Sequence, residues 1–452
     1  MDEMLSGQTG SPETPAGTEQ DVDLTAAVEG VTPELVAVGS LGDYVRAWWA
    51  RVRSGDSGIL PVVGALVVLT IAFQLTSPGA VFLSPGNLVN LFIQSTVFMV
   101  LAMGEGFVLL LGEIDLSIGY VAAIGGVVTA ELVQVPGPNL PWPIAILAGL
   151  AATAVIGALQ GTIITRLRLP SFVVTLAGYL LWFGVMIVML GQSGQAPITS
   201  SVLVNQQVLF GIVNSTIPPL VGWIGLVVIV VALGVVLWLR DAGRRRSGLV
   251  APPASLTLVK IGFIAIVGIA VVAICNVNRA AVLSSVKVEG VPWVVPVVLV
   301  VLAAWMMLLE QTKFGRYVYA VGGNPEAARR AGIDVGAIRT WGFVLCGLTA
   351  GLAGIIYTSW QGGINTNLNG GQYVLYAVAA AVIGGTSLFG GRGRMIHGIL
   401  GGLVIGTIYN GLFLLGFPVQ WQLIATGLVL LAAVAIDTLS RRGAGGASLA
   451  RT

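Results

Sequence analysis

The feature that most constrains this chain is the recurrence of mostly apolar runs about 20 residues long, the length that carries a helix across the hydrocarbon core of a bilayer. Backbone groups cannot be left unbonded in lipid, so each run is expected to satisfy its own hydrogen bonds as a helix. Such runs occupy 59–76, 88–111, 116–134, 142–166, 171–190, 220–239, 257–276, 293–309, 341–359, 372–389, 396–416 and 420–437. The expectation is an all-α polytopic membrane protein with about twelve transmembrane helices (range 10–12). Only 9% of the residues are charged and 56% are hydrophobic, whereas a soluble domain carries about 25% charge.

Not every run is equally regular. The run at 372–389 dissolves into "VIGGTSLFGG", and a broken or re-entrant half-helix is the alternative to a full crossing there, since irregular backbone at membrane depth is tolerated where protein or water surrounds it. Elsewhere glycine reads as packing. Gly398, Gly402 and Gly406 recur at every fourth residue, a smooth ridge that lets a second helix approach closely.

The basic residues set an expected orientation. If every run crosses and the first begins inside, 20 of the 22 Lys and Arg fall in cytoplasmic segments and only Arg279 and Lys287 fall outside, as the positive-inside rule demands. Both termini are then expected in the cytoplasm, with the chain in the cytoplasmic (inner) membrane. Ten of the 20 acids lie between Asp2 and Asp56, and no Lys or Arg precedes Arg46. Residues 1–55 therefore read as a disordered acidic tail ending in a basic juxtamembrane collar, "YVRAWWARVR". That tail lacks the basic and apolar start of a secretory signal. Residues 56–440 form the membrane domain, and 441–452 a short cytoplasmic tail.

The chemistry available is sparse. There is no phosphate loop, no His/Cys ligand cluster and no serine elbow, so no catalytic, metal or cofactor site is expected. Cys275 and Cys346 lie in apolar runs and read as small buried hydrophobes. The acids that fall at membrane depth are Glu105, Glu113, Asp115 and Glu131. In "LLLGEIDLSIG", Gly112 is expected to break the helix and Asp115 to cap the next one, with Ser117 in its first turn; direct contact of Glu113 and Asp115 with a permeating solute is the rival reading. Asn87, Asn90 and Gln94 form a stripe at i, i+3 and i+7. They suit either interhelical hydrogen bonding or a path for a neutral, hydroxyl-rich solute beside aromatic faces such as Trp360 and Trp421.

One polar island interrupts this pattern. "GRYVYAVGGNPEAARRAGIDVGAIRT" holds four of the chain's basic residues and complete helix punctuation. After Gly323, Asn324 is placed to cap, Pro325 stands in the first turn, and Glu326 faces the positive end of the dipole. Ala327, Ala328, Arg329 and Arg330 continue the turn, and Gly332 suits the position just past its end.

The motifs "EIDLSIG", "LPSFVVTLAG", "GRYVYAVGGNPEAARRAGI" and "VIGGTSLFGGRG" occur in an order and spacing that resembles the sugar permeases of ATP-binding-cassette importers, from about Leu83 to Asp437. Within that group the xylose-type permeases look most similar, because Glu113 stands where ribose-type chains usually have Gly and because an extra helix pair surrounds "LRDAGRRRSGL". The resemblance implies a homodimer in membrane lipid that translocates a monosaccharide by alternating access. It implies a cytoplasmic ATPase partner on which all ATP hydrolysis resides, an extracytoplasmic sugar-binding protein, and no nucleic acid. The loop 313–339 would carry the coupling helix, Gly323 to Gly332. Asn87, Asn90, Gln94, Glu113, Asp115 and Ser117 would lie near the translocation path. Glu105 departs from the family pattern, which suggests an apolar or small hydroxyl residue there, and so does the acidic tail. The rival readings are an ion-coupled secondary transporter or channel for a small neutral solute, and an importer permease for another sugar or for branched-chain amino acids.

Overall fold

The computed structural model describes residues 59–199, 203–247, 253–280 and 287–428, together with Gly42, Arg46, Trp49 and Leu431. The expectations for the acidic tail before Arg46, for Arg51 and Arg53 and for the C-terminal tail fall outside the described residues. Within them the protein is an all-α polytopic membrane protein. Its helices are α1 (Leu60–Thr76), α2 (Pro85–Leu110), α3 (Ile118–Leu132), α4 (Trp142–Leu167), α5 (Ser171–Leu190), α6 (Val204–Asn214), α7 (Pro219–Arg246) and α8 (Ala254–Cys275). They continue as α9 (Val294–Gln311), α10 (Lys313–Gly323), α11 (Pro325–Arg330), α12 (Val335–Gln361), α13 (Gly370–Gly384) and α14 (Met395–Leu414). Residues 419–428 are helical as well.

Eight of these helices are long and apolar enough to cross a membrane, and α1, α3 and α13 are shorter apolar helices. Eleven of the expected runs are helical, with two corrections, and the twelfth, 420–437, is helical as far as 428, its remainder lying outside the described residues apart from Leu431. The run at 372–389 stops at Gly384, because Gly385 turns the chain at φ 111, a conformation that costs a side-chain-bearing residue. The run at 220–239 continues to Arg246, so Arg240 to Arg246 form a helix end and not a loop.

α3 and α13 each have 15 residues, about 22 Å of helix against a hydrocarbon core of about 30 Å. Their N-terminal ends meet: a Cβ on Gly119 would stand 2.0 Å from the carbonyl oxygen of Gly370. Both are therefore broken helices, each entered through a non-helical segment, 111–117 for α3 and 362–369 for α13.

Backbone contact at glycine holds the centre together. A Cβ on Gly354 of α12 would lie 1.7 Å from the Ala122 oxygen of α3, and one on Gly347 would lie 2.3 Å from the Thr153 oxygen of α4. The ridge on α14 is closed by α2, where added Cβ atoms at Gly398, Gly402 and Gly406 would stand 2.9, 2.6 and 1.8 Å from Met103, Met99 and Ser95. The connections gather at two ends. At one, 111–117, 312–334 and 385–394 meet, and Thr165 reaches Thr340 at 3.2 Å. At the other, β1 (Gln195–Pro197) pairs with β4 (Gly363–Asn365), and β2 (Thr216–Ile217) pairs with β3 (Val291–Pro292).

Candidate coupling and translocation site

The polar island folds as its sequence dictates. Asn324 accepts from the Ala327 N–H at 3.0 Å, with Pro325 opening the helix. At the far end Gly332, at φ 82, donates to the Arg329 carbonyl, and Ile333 donates to the Ala328 carbonyl, both at 3.0 Å. These two bonds are a Schellman motif, which satisfies the last carbonyls of the turn. Glu326 pairs with Arg329 at 2.8 Å and with Arg330 at 3.4 Å. Ala328 is buried and Ala327 is exposed, so the helix rests on one residue and presents the other outward.

The island is seated on two other motifs. A Cβ on Gly322 would stand 1.8 Å from the Leu110 oxygen, and Gly391 donates to that same oxygen at 2.9 Å. Tyr319 donates to the Gly393 carbonyl at 2.8 Å, and Arg394 reaches Glu310 at 2.7 Å. Burial is the main cause that raises the Tyr319 hydroxyl above its ordinary pKa, with Glu310 adding to it and Arg394 opposing. The ends of "LLLG", "AVGGN" and "LFGGRG" thus form one junction, with no room for a side chain at Gly322, Gly390 or Gly391.

From this junction a chain of polar contacts enters the helices. Asp334 caps α12 by accepting from Ala337 at 2.9 Å. Farther into α12, Arg339 Nε lies 3.2 Å from Glu113 Oε1, an ion pair without a hydrogen bond at that nitrogen. Farther along α12, Cys346 Sγ donates to Asp115 Oδ2 at 3.6 Å. Asp115 Oδ1 accepts from the Ser117 N–H at 2.8 Å and from its hydroxyl at 2.6 Å, and Gln160 Nε2 of α4 donates to Ser117 Oγ at 2.8 Å. Glu105 accepts from the Asp115 N–H at 3.1 Å, and its other oxygen has no partner among the described residues.

Two expectations change here, those for Asp115 and Cys346, and Glu113 gains a contact. Ser117, not Asp115, stands at the N-cap of α3; Asp115 lies two residues earlier and ties the entering backbone. Glu113 has a cationic partner, Arg339, supplied by the neighbouring motif. Cys346 is more than a small hydrophobe, since its thiol meets a carboxylate.

The amide stripe divides. Asn87 Nδ2 donates to Asn410 Oδ1 of α14 at 2.9 Å, and Asn410 Nδ2 donates to Gln94 Oε1 at 3.1 Å, which is interhelical bonding. Asn90 is exposed. Trp360 meets Tyr357 edge-on at 6.1 Å, whereas Trp421 is half exposed beside Phe417. Inside the helices a cavity of about 10 Å³ lies among Val97, Gly119, Gly354, Tyr357 and Tyr373, room for one water. A larger cleft of about 370 Å³ opens on the surface between α5 and α13, beside the segment that enters α3, lined by Leu116, Leu176, Tyr179, Asn369, Gln372 and Leu423. Asn369 caps α13 by accepting from Gln372 at 3.2 Å.

Sequence reasoning missed Arg339, Gln160, Asn410, Asn369 and Gln372. A signal existed for two of them. Gln160 stands between Gly157 and Gly161 in an apolar run, and Asn369 precedes a glycine pair at a helix start.

Residues 87–434 match the family described as branched-chain amino acid transport system / permease component. The xylose transport system permease protein XylH of Haemophilus influenzae is 32% identical over 395 residues, covering 87% of this chain and 99% of the relative. The ribose import permease protein RbsC of Escherichia coli is 32% identical over 394 residues, covering 87% and 95%. The D-allose transport system permease protein AlsC of Escherichia coli is 30% identical over 377 residues, covering 83% and 90%. No solved structure matches the chain. Glycine-closed helix contacts and a capped polar island therefore stand on a chain that belongs to this family of transport-system permeases.

Proposed function

We propose that the protein is the membrane-spanning subunit of an ATP-driven importer, translocating a monosaccharide, with a xylose-like pentose as the first candidate, across the cytoplasmic membrane. The observation that carries this reading is the capped island seated on the broken-helix junction. A helix held at both ends, with its charges paired internally, transmits displacement that a loose loop would absorb. α11 is then the element that docks on a separate cytoplasmic ATPase. Its push passes through Arg339 and Glu113 to the segment that enters α3. Alternating access follows if ATP favours one arrangement of that segment over the other, since coupling requires a difference in contacts between two states.

The sugar's route runs along the cleft between α5 and α13, because the internal cavity is too small for a sugar. Asn369, Gln372 and Tyr179 offer donors, acceptors and a ring face there, the chemistry that suits a neutral polyol. A second copy of the permease closes the open side of the cleft, and an extracytoplasmic sugar-binding protein delivers the solute at the opposite end. Glu113, Asp115 and Ser117 act in transmission from the docking end. Asn87 and Gln94 brace α14, and Asn90 lies nearest a solute arriving along α2.

The reading is tested by Ala327→Asp, which places a charge on the exposed face of α11 and leaves Ala328 beneath it untouched. The variant is expected to insert and purify as the parent does, to lose its ATPase partner, and to lose ATP-driven uptake of a labelled pentose. Retained uptake with a bound ATPase would remove α11 from the docking role. Competition by ribose, allose and branched-chain amino acids in the same uptake assay decides the solute.

A further inference from the structure

Of the eight membrane-length helices among the described residues, α7 and α8 are the least covered, with 6% and 11% of the central residues buried. Along it runs a groove of about 460 Å³ lined by Val230, Gly234, Val235, Trp238 and Leu239 of α7 and by Ile261 of α8. Gly234 deepens its floor, since a Cβ added there would already be in van der Waals contact with Ile261 at 3.6 Å. At one end the character of α7 changes within a turn, from Trp238 and Leu239 to Arg240, Asp241, Arg244, Arg245 and Arg246.

Helical periodicity decides which of these arginines belong to the groove. At 3.6 residues per turn the stripe through Gly234, Val235, Trp238 and Leu239 continues into Ala242, Arg245 and Arg246, while Arg240 and Arg244 fall on the other side. The Arg245 guanidinium carbon lies 5.8 Å from the centroid of the Trp238 ring. An indole and a guanidinium therefore share the mouth. Asp241, the acid on the same turn, is buried and accepts from the Thr257 hydroxyl of α8 at 2.7 Å. Lys260 is exposed next to Ile261. A helix C-terminus favours a cation in its last turn, but that effect needs neither an adjoining apolar groove nor an indole.

We infer that the groove and its arginine-rich mouth bind an anionic phospholipid, with an acyl chain along Val230 to Leu239 and the phosphate at Arg245 and Arg246. An acyl chain fills an apolar groove that water would leave unsatisfied, guanidinium groups bind phosphate through paired N–H donors, and Trp sits at the depth where chain meets headgroup. A zwitterionic lipid brings the same phosphate, but its cationic head is repelled by the arginines. A free phosphate has no use for the groove. The inference needs only that α7 and α8 face lipid, so it stands apart from the assignment of solute and ATPase.

Native mass spectrometry of the detergent-purified full chain, titrated with phosphatidylglycerol, phosphatidylcholine or glycerol 3-phosphate, reads the site. Retention of phosphatidylglycerol about tenfold above phosphatidylcholine is expected. Arg245→Gln/Arg246→Gln should abolish that preference, and Arg245→Lys/Arg246→Lys should keep most of it. Gly234→Leu, which fills the groove, should weaken phosphatidylglycerol retention with the arginines intact. Equal retention of the two lipids overturns the site, as does an undiminished preference in the Gln pair or in Gly234→Leu. Glycerol 3-phosphate binding as well as the intact lipid would reduce the site to a headgroup anion site and overturns the acyl groove.

Discussion

α2 and α7 are both long enough to cross a bilayer, and they are built in opposite ways. In α2, 94% of the central window is buried inside the protein, and that helix carries Gln94, Ser95, Thr96 and Glu105; in α7 only 6% is buried, and its central part is nearly all Val, Leu and Ile with Trp and Gly. A soluble protein would put the greasier helix inside. In lipid the hydrocarbon is as apolar as a leucine side chain, so apolar surface gains little by turning inward, and helices associate through close backbone approach and polar contacts. In this chain small and polar residues mark the interior, and an unbroken apolar run marks the rim.

That contrast is open to direct attack. The largest effect is expected at the glycines. Gly354→Leu or Gly402→Leu forces a side chain into a neighbouring backbone or helix, a cost above about 3 kcal/mol, and should eliminate monodisperse protein on size exclusion. Gly225→Leu and Gly262→Leu, where nothing lies within 4 Å, should purify normally. Equal behaviour of the two pairs would break the comparison.

A smaller effect is expected where polar groups link the island to the broken helix. Arg339→Gln and Glu113→Gln should each lower ATP-driven uptake several-fold with insertion unchanged. A double-mutant cycle should return a coupling of about 2 kcal/mol. Additive losses would make the ion pair incidental.

The smallest is at the amide bracket. Asn410→Leu removes the partner of both Asn87 and Gln94, at about 0.6 kcal/mol per hydrogen bond in a membrane protein, a slight fall in thermal stability. Asn90→Leu should leave stability unchanged, because the residue is exposed. A larger loss for Asn90→Leu than for Asn410→Leu would place the working face of the stripe on Asn90.

By itself the sequence determined what depends on length and on neighbours in the chain. The apolar runs carry their own backbone bonding, so their helices were legible. The punctuation of α11 was legible too, because caps act within a few residues: Asn324, Pro325 and Gly332 serve as their types require. The spacing of Gly398, Gly402 and Gly406 announced a close contact, but not that α2 would fill it. Only the tertiary structure decided that Glu113 would meet Arg339, that Ser117 would be reached by Gln160, and that Asn410 would stand between Asn87 and Gln94. Each joins residues 43 to 323 positions apart, and which helices lie side by side is settled by the summed fit of glycine surfaces, a property that no single run contains. The meeting of α3 and α13 likewise came from the fold, since two short helices can share one crossing depth only when the rest of the bundle supports the broken backbone between them.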